Sequence, residues 1–360
     1  MKIDFVIGRL KAGGAERVVS IVANYFAEHN HTVRIITFID GDAYELDPRV
    51  ERIRFHKKGL IKPAIIRGFF SLLKFYFKSK NRPDIINSHI GLMGYTSIPV
   101  GRMYNIKVIN SEHMNHLHQN VDFPMKFLWN NLYKYADAIT ILTKFDLAFF
   151  KSRNKKVVVM ENPCSFDIGK SPTNIREKVI VAVGNLDRYE HKGFDNLIEI
   201  ASRVLKNHVD WKLKIVGGGN YGMEILKNMA NEYGIYDQVI FTGFRSDIKE
   251  ILSNAEIFIL SSRYEGLPMV LLEALSQGLA CISYDCISGP SEILENNVTG
   301  LLIADQDKDA MAKGLERLIL DDNLRNGLRE RSSTALDKFS IERVGQKWNN
   351  LFQDILLMQN

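Results

Sequence analysis

Cysteine is scarce in this chain of 360 residues. The three present, Cys164, Cys281 and Cys286, are odd in number and stand at no metal-binding or redox spacing. No disulfide framework is expected, and a reducing compartment fits best. The sequence also lacks any stretch approaching the roughly 18 apolar residues a spanning helix needs, because its longest apolar runs are broken by Lys, Arg or Asn. The chain is therefore not expected to cross a membrane. Its first residues run straight into Ile3-Asp4-Phe5-Val6-Ile7, without the basic, apolar and small-residue regions of a signal peptide, so a cytoplasmic location is expected. Repeats and low-complexity tracts are missing as well.

What is present is a soluble globular composition, 46% hydrophobic and 25% charged. The length exceeds one comfortable hydrophobic core, which implies two domains. Charge divides unevenly between them: residues 1–170 hold 26 Lys and Arg against 15 Asp and Glu, whereas residues 171–360 hold 21 against 27. An excess of +11 in the first part points to an anionic surface as its neighbour, lipid or nucleic acid.

Short apolar runs at 3–7, 33–38, 85–88, 108–111, 138–142 and 157–160 read as strands separated by helical stretches. Unalternating apolar strands of this kind belong to a parallel sheet covered on both faces. The pattern breaks at 163–177, where Pro, Ser, Gly and Asn gather in a linker, and restarts with strands at 179–183, 213–216, 239–241, 257–260, 281–284 and 300–302. The expected fold is α/β: two Rossmann-like, doubly wound parallel-sheet domains, 1–165 and 175–340, facing a central cleft. A helix at about 340–360, with Val344, Trp348, Leu351, Phe352 and Ile355 at helical spacing, should dock back on the first domain.

The strongest local signal is Ser261-Ser262-Arg263-Tyr264-Glu265-Gly266-Leu267-Pro268-Met269-Val270-Leu271-Leu272-Glu273, directly after an expected strand. Pro268 suits the first helical position, which leaves the amides of Met269 and Val270 free to bind phosphate at the helix head. Glu265 in the loop and Glu273 in the second turn can accept hydrogen bonds from sugar hydroxyls. Arg188 and Lys192 supply two cations beyond another strand end, where a diphosphate would lie. Gly217 and Gly219 follow a third strand and permit close approach of a nucleotide. An ordinary strand–loop–helix connection with solvated carboxylates, solvated loop charges and a plain turn are the respective alternatives for these three groups.

In the first domain Gly13-Gly14 links a strand to its helix but is no G-x-G-x-x-G fingerprint. His113 ends another strand and faces the expected cleft. With His116 and His118 it raises a metal site, but no carboxylate or Cys stands nearby at ligand spacing, so no metal is expected. The segment from Lys57 to Lys80, with Ile65, Phe69, Leu72 and Tyr76 on one helical side and Lys62, Arg67, Lys74 and Lys78 around them, has the composition of an interfacial helix. No nucleic-acid motif accompanies it.

In this order, the Gly-Gly loop, Ser111-Glu112-His113, Asn162-Pro163, Arg188-x3-Lys192, Gly217-x-Gly219, Phe241-x-Gly243 and Glu265-x7-Glu273 resemble the GT-B glycosyltransferases of family 4, over nearly the whole chain. Among these the chain is similar to bacterial enzymes that build O-antigen, capsule or lipid-linked oligosaccharide. Tyr284 to Ile293 is similar to members using UDP-hexoses or UDP-N-acetylhexosamines. The resemblance implies a retaining, metal-independent transfer from a UDP-sugar to a lipid-linked saccharide at an anionic membrane surface, with no cofactor and no nucleic acid partner. It implies that Arg188, Lys192 and the Met269 and Val270 amides hold the diphosphate, with Gly14 bordering it. Glu273 would bind ribose hydroxyls. Glu265, the backbone at Gly266 and Leu267, and His113 would meet the donor sugar. A GT-B epimerase and a catalytically silent nucleotide-sugar-binding protein are the rival readings.

Overall fold

The computed structural model describes residues 1–56, 64–117, 122–167 and 176–358. The chain divides into two compact units, Met1–Pro163 with Ile341–Asn360, and Cys164–Ser340. Of the expected linker, 168–175 lies outside the described residues.

Among its described residues the first unit holds seven parallel strands: β1 (Lys2–Ile7), β2 (Thr32–Thr37), β3 (Glu51–Arg54), β4 (Ile85–His89), β5 (Lys107–Ser111), β6 (Ala138–Ile141) and β7 (Val157–Val159). They lie in the order β3-β2-β1-β4-β5-β6-β7, so the direction of winding reverses between β1 and β4. β1 is buried from Ile3 to Ile7, including the charged Asp4. Two bonds of 2.7 and 2.6 Å from Arg34 on β2 satisfy that carboxylate, and the Tyr76 hydroxyl donates to it at 2.6 Å. Removing either cation or carboxylate alone would strand a buried charge at a cost of about 3–5 kcal/mol. β3 was not expected: Glu51-Arg52-Ile53-Arg54 carries no apolar run, because an edge strand exposes half of itself to water.

Two helices of this unit matter below: α1 (Gly14–Glu28) and α2 (Ala64–Phe77). α2 forms the described part of the expected interfacial segment; Lys57, Lys58 and Lys62 lie outside the described residues. Tyr76 and Leu72 are buried on its inner side. Outward stand Ile66, Phe70 and Phe77, 47%, 50% and 75% exposed, with Lys74 and Lys78 exposed alongside. Among the described residues no helix is long and apolar enough to cross a membrane. The helix Ile341–Leu357 buries Trp348, Leu351, Phe352 and Ile355, and the Phe352 ring lies 5.1 Å from that of Phe26 on α1.

Among its described residues the second unit holds six parallel strands: β8 (Glu177–Val183), β9 (Lys212–Val216), β10 (Val239–Phe241), β11 (Ala255–Leu260), β12 (Ala280–Tyr284) and β13 (Leu301–Ile303). Their order is β10-β9-β8-β11-β12-β13. The chain winds outward from β8 on one side and from β11 on the other. These two strands are neighbours although about 70 residues separate them, and a sheet opens a ligand crevice beyond the C-terminal ends of strands at such a reversal.

Candidate active site

At the β8–β11 reversal two loops are stitched together. The β8 loop continues through a short turn, Leu186–Arg188, into the helical turn Tyr189–Lys192, and ends at Gly193 with φ of 63°. A Cβ on Gly193 would stand 1.9 Å from the Ser261 carbonyl oxygen of the β11 loop, so only glycine permits this approach. The Ser261 hydroxyl donates to the Lys192 carbonyl at 3.0 Å, and the Arg263 amide donates to the His191 carbonyl at 2.9 Å. The Arg263 guanidinium then bonds Asp195 through two contacts of 2.8 and 2.7 Å.

These ties bring Lys192 to Glu265. The Lys192 ammonium donates to Glu265 Oε1 at 2.7 Å, and the Ser262 hydroxyl donates to the same oxygen at 2.6 Å. Burial alone would raise the Glu265 carboxyl, but the Lys192 charge and the bonds from Lys192 and Ser262 outweigh it and hold the group below its usual range. Beside it the His191 ring stacks on Tyr264, with centroids 3.9 Å apart. His191 Nε2 donates to the Tyr264 carbonyl at 2.9 Å, and burial pushes the imidazole down to about 4, so it is neutral at physiological pH. Arg188 is exposed, and its guanidinium has no partner among the described residues. One cation is thus held rigidly and one remains available.

The β11 loop leads into the helix Met269–Ser276. Pro268 does not occupy the first helical position as expected. It precedes the helix with ψ of 104°, because its carbonyl accepts the first helical bond, from the Leu271 amide at 3.1 Å. The amides of Met269 and Val270 head the helix, where no carbonyl of the preceding turn can reach them. Leu267 is buried, and the carbonyls of Glu265 and Gly266 accept from the Ser288 hydroxyl at 3.0 and 3.2 Å. Glu273 is no solvated surface carboxylate: it is 2% exposed and accepts from the Ser165 hydroxyl at 2.9 Å.

The β9 loop closes the group. Gly217 has φ of 156°, and a Cβ there would meet the Gly184 carbonyl oxygen at 1.7 Å, so this glycine already has an internal reason in the packing of the β9 loop on the β8 loop. Gly219 stands just before the helix Asn220–Glu232, against Asp187. Two exposed aromatics rise beside it, Tyr221 at 69% and Phe244 at 71%, the latter within 3.5 Å of where a Gly218 Cβ would sit.

In the first unit, Gly14 opens α1. The Gly13 amide donates to the Tyr44 hydroxyl, which in turn donates to the Gly13 carbonyl, both at 2.8 Å. Glu16 lies in the first turn of α1, and burial raises its carboxyl despite Arg9 at 3.8 Å. His113 lies just past β5, and its Nε2 is 2.9 Å from Nδ1 of His89 at the end of β4. His116 does not turn to a metal. Asp146 accepts from its Nδ1 at 2.7 Å and from its backbone amide at 2.9 Å, and its ring stacks on Phe149 at 4.1 Å; His118 lies outside the described residues.

Three Asp-x-Asp runs qualify the expectation of a metal-free site: Asp40-Gly41-Asp42 and the overlapping Asp305-Gln306-Asp307 and Asp307-Lys308-Asp309, whose Asp309 pairs with Arg203. Asp42 is taken by Arg52 and Arg54, and Asp307 caps the helix Lys308–Leu320 through the Ala310 amide at 2.9 Å. Among the described residues no group of three or more His, Cys, Asp or Glu side chains is set to hold a metal ion. Sequence reasoning missed Ser262, Ser288, Tyr44 and His89. The signal for His89 was available, since it ends a strand next to the one that selects His113.

Two family models together cover most of the chain: one for Glycosyltransferase Family 4 matches residues 12–167, and one for Glycosyl transferases group 1 matches residues 165–334. The chain is a family 4 glycosyltransferase. A Campylobacter jejuni protein similar to this glycosyltransferase, 29% identical over 99% of each chain, is named GalNAc-alpha-(1->4)-GalNAc-alpha-(1->3)-diNAcBac-PP-undecaprenol alpha-1,4-N-acetyl-D-galactosaminyltransferase. The amylovoran biosynthesis glycosyltransferase AmsD of Erwinia amylovora is 26% identical over 96% of this chain and 97% of its own. In fold the glycosyltransferase matches Anabaena HepE, solved in complex with UDP and glucose, with a TM-score of 0.81 at 17% identity over 98% of this chain and 100% of the other. That likeness shows the GT-B fold.

Proposed function

We propose that this glycosyltransferase moves a hexose or N-acetylhexosamine from a UDP-sugar, with retention of anomeric configuration, onto a polyprenyl-diphosphate-linked or other lipid-linked saccharide. The observation that carries the reading is the cluster at the β8–β11 reversal, where Lys192 is held by Glu265 beside an unpartnered Arg188, and the head of the helix Met269–Ser276 follows on the same loop. Departure of UDP breaks the bond between the sugar C1 and the phosphate oxygen and leaves the electron pair on that oxygen. Arg188 and Lys192 neutralise the growing charge, and the Met269 and Val270 amides add fixed dipoles. The acceptor hydroxyl attacks C1 from the same face, and its proton passes to the departing phosphate oxygen. No protein nucleophile is needed, so Glu265 serves as a binder of donor hydroxyls through its remaining acceptor capacity. Glu273 binds the ribose, and the exposed rings of Tyr221 and Phe244 offer apolar faces to the base. From the first unit, His113 meets the donor sugar and Gly14 borders its phosphate.

The lipid-linked acceptor is supported by the undecaprenol in the name of the Campylobacter relative. Docking on the inner face of the cell membrane is supported by the outward line of Ile66, Phe70 and Phe77 on α2, interleaved with Lys74 and Lys78. The test is UDP release across a panel of UDP-sugars, with and without a polyprenyl-diphosphate-linked saccharide, followed by the anomeric configuration of the product. Acceptor-dependent release with retention is expected. UDP-sugar binding without release would favour a silent binding protein, and an inverted product would remove the same-face mechanism.

A further inference from the structure

The first unit contains a buried pair of imidazoles that the proposed chemistry uses at one end only. His89 ends β4 and is 0% exposed; His113 follows β5 and keeps part of its surface open. His89 Nδ1 and His113 Nε2 are 2.9 Å apart, with ring centroids at 5.1 Å. The outer nitrogens, His89 Nε2 and His113 Nδ1, are both buried and without a partner among the described residues. Burial pushes both groups down, His89 well below its usual value and His113 to about 4, so the pair is neutral at physiological pH.

Two neutral imidazoles carry two N–H groups. One lies in the bond between the rings, and the other must fall on an outer nitrogen. Either His89 donates and His113 carries its proton on Nδ1, or His113 donates and His89 carries its proton on Nε2. The surroundings decide between these. The Phe5 ring lies 5.9 Å from His89 and the Trp348 ring 6.2 Å from it, and the Trp348 indole N–H is itself buried without an acceptor. An N–H on His89 Nε2 would belong to a wholly buried side chain and would have neither an acceptor in the free chain nor one that a ligand could bring, and a donor left so is the costlier kind of orphan group. An N–H on His113 Nδ1 is buried and unmatched in the free chain as well, but His113 is the partly exposed member of the pair and so the one whose N–H an arriving ligand oxygen can match.

We propose that His89 is a positioning residue: it donates from Nδ1 to His113 Nε2 and so fixes His113 as the Nδ1–H tautomer, a hydrogen-bond donor presented to a hydroxyl oxygen of the donor sugar. The tautomer of one ring nitrogen is set by the bond the other makes. This rests on the reading of His113 as a donor-sugar contact, and the experiment separates the two.

Nitrogen-15 spectra of the imidazoles, recorded on the full chain and assigned by single His substitutions, report the tautomers directly. His113 protonated on Nδ1 with His89 bare on Nε2 is expected; His113 protonated on Nε2 overturns the proposal, with no activity needed. The kinetic arm compares His89→Leu with His89→Asn, whose amide nitrogen falls near the lost Nδ1 and can donate to His113. UDP release from the best UDP-sugar of the panel should fall about tenfold in kcat for His89→Leu and recover to within about threefold in His89→Asn. Affinity for UDP itself should be unchanged in both. Equal impairment of the two variants, or none in His89→Leu, would make His89 a packing residue and end the proposal. If His89→Leu does not fold, the wild-type spectra still decide. Full turnover in His113→Ala would instead remove the donor-sugar role of His113, whatever the spectra show.

Discussion

Replacing Lys192 by Met tests two roles of one ammonium. In the structure that ammonium sits 2.7 Å from Glu265 Oε1, with side-chain exposures of 18% and 10% for the pair. Without it the Glu265 carboxylate keeps the Ser262 hydroxyl but loses its counter-charge in a buried site. Breaking a pair of this burial by removing one partner costs about 3 kcal/mol at neutral pH. The pH dependence follows from the direction of the shift. In the wild type the Glu265 carboxyl is depressed below 4.5, so its contribution to stability is present above that value and is lost as pH falls through the folded pKa. In Lys192→Met burial is opposed mainly by the Ser262 hydroxyl and no longer by the ammonium, so the carboxyl rises, protonation relieves the variant, and its deficit in Tm should shrink between pH 7 and pH 5. Lys192→Met/Glu265→Gln should regain most of the lost stability, because a neutral amide replaces the stranded charge. Turnover should not return. Loss of one charge-assisted contact to the departing diphosphate is worth about 2 kcal/mol, roughly a 30-fold drop in kcat. Thermal melts at the two pH values and UDP release measure the two effects separately. A Lys192→Met variant with normal Tm and kcat, or a double variant that recovers activity with stability, would refute the assignment of this lysine to the diphosphate.

Arg188→Ala should lower kcat by a similar factor with Tm unchanged, since its exposed guanidinium has no partner among the described residues; equal losses in both would mark a structural role. Turnover should persist in excess EDTA, and abolition by chelation with rescue by magnesium or manganese would end the metal-free reading. Changing Lys74, Lys78 and Lys80 together to Glu should reduce co-sedimentation with anionic vesicles, each cation near such a surface being worth about 1 kcal/mol at low salt. Attachment should also weaken with added salt, and binding that is equal on neutral and anionic lipid would remove the docking face.

The repeat of apolar strands and amphipathic helices was legible in the sequence, because strand and helix periods are local properties of side-chain placement. Twelve of the strands have a local apolar signature that can be read off the residue order. The one that escaped, β3, has the composition Glu-Arg-Ile-Arg, and its place at the sheet edge is set by pairing with β2 rather than by its own residues. Strand ends were also legible, and they selected Arg188, Lys192, Glu265, Glu273 and His113 one at a time.

What the sequence could not give is which ends meet. Lys192 read as a diphosphate ligand and Glu265 as a sugar ligand are 73 residues apart, and only the placement of β8 beside β11 makes them an ion pair that shifts the carboxyl downward. Glu273 was read as a ligand for sugar hydroxyls, but that its carboxylate is buried follows only from the packing of its helix in the second unit. His89 and His113 become a pair because β4 and β5 are neighbours in register, His89 opposite Ser111. Local periodicity fixes the elements through interactions within a few residues. Strand order is chosen by the burial of whole apolar faces, and that choice sets the long-range contacts on which the charges and tautomers of this site depend.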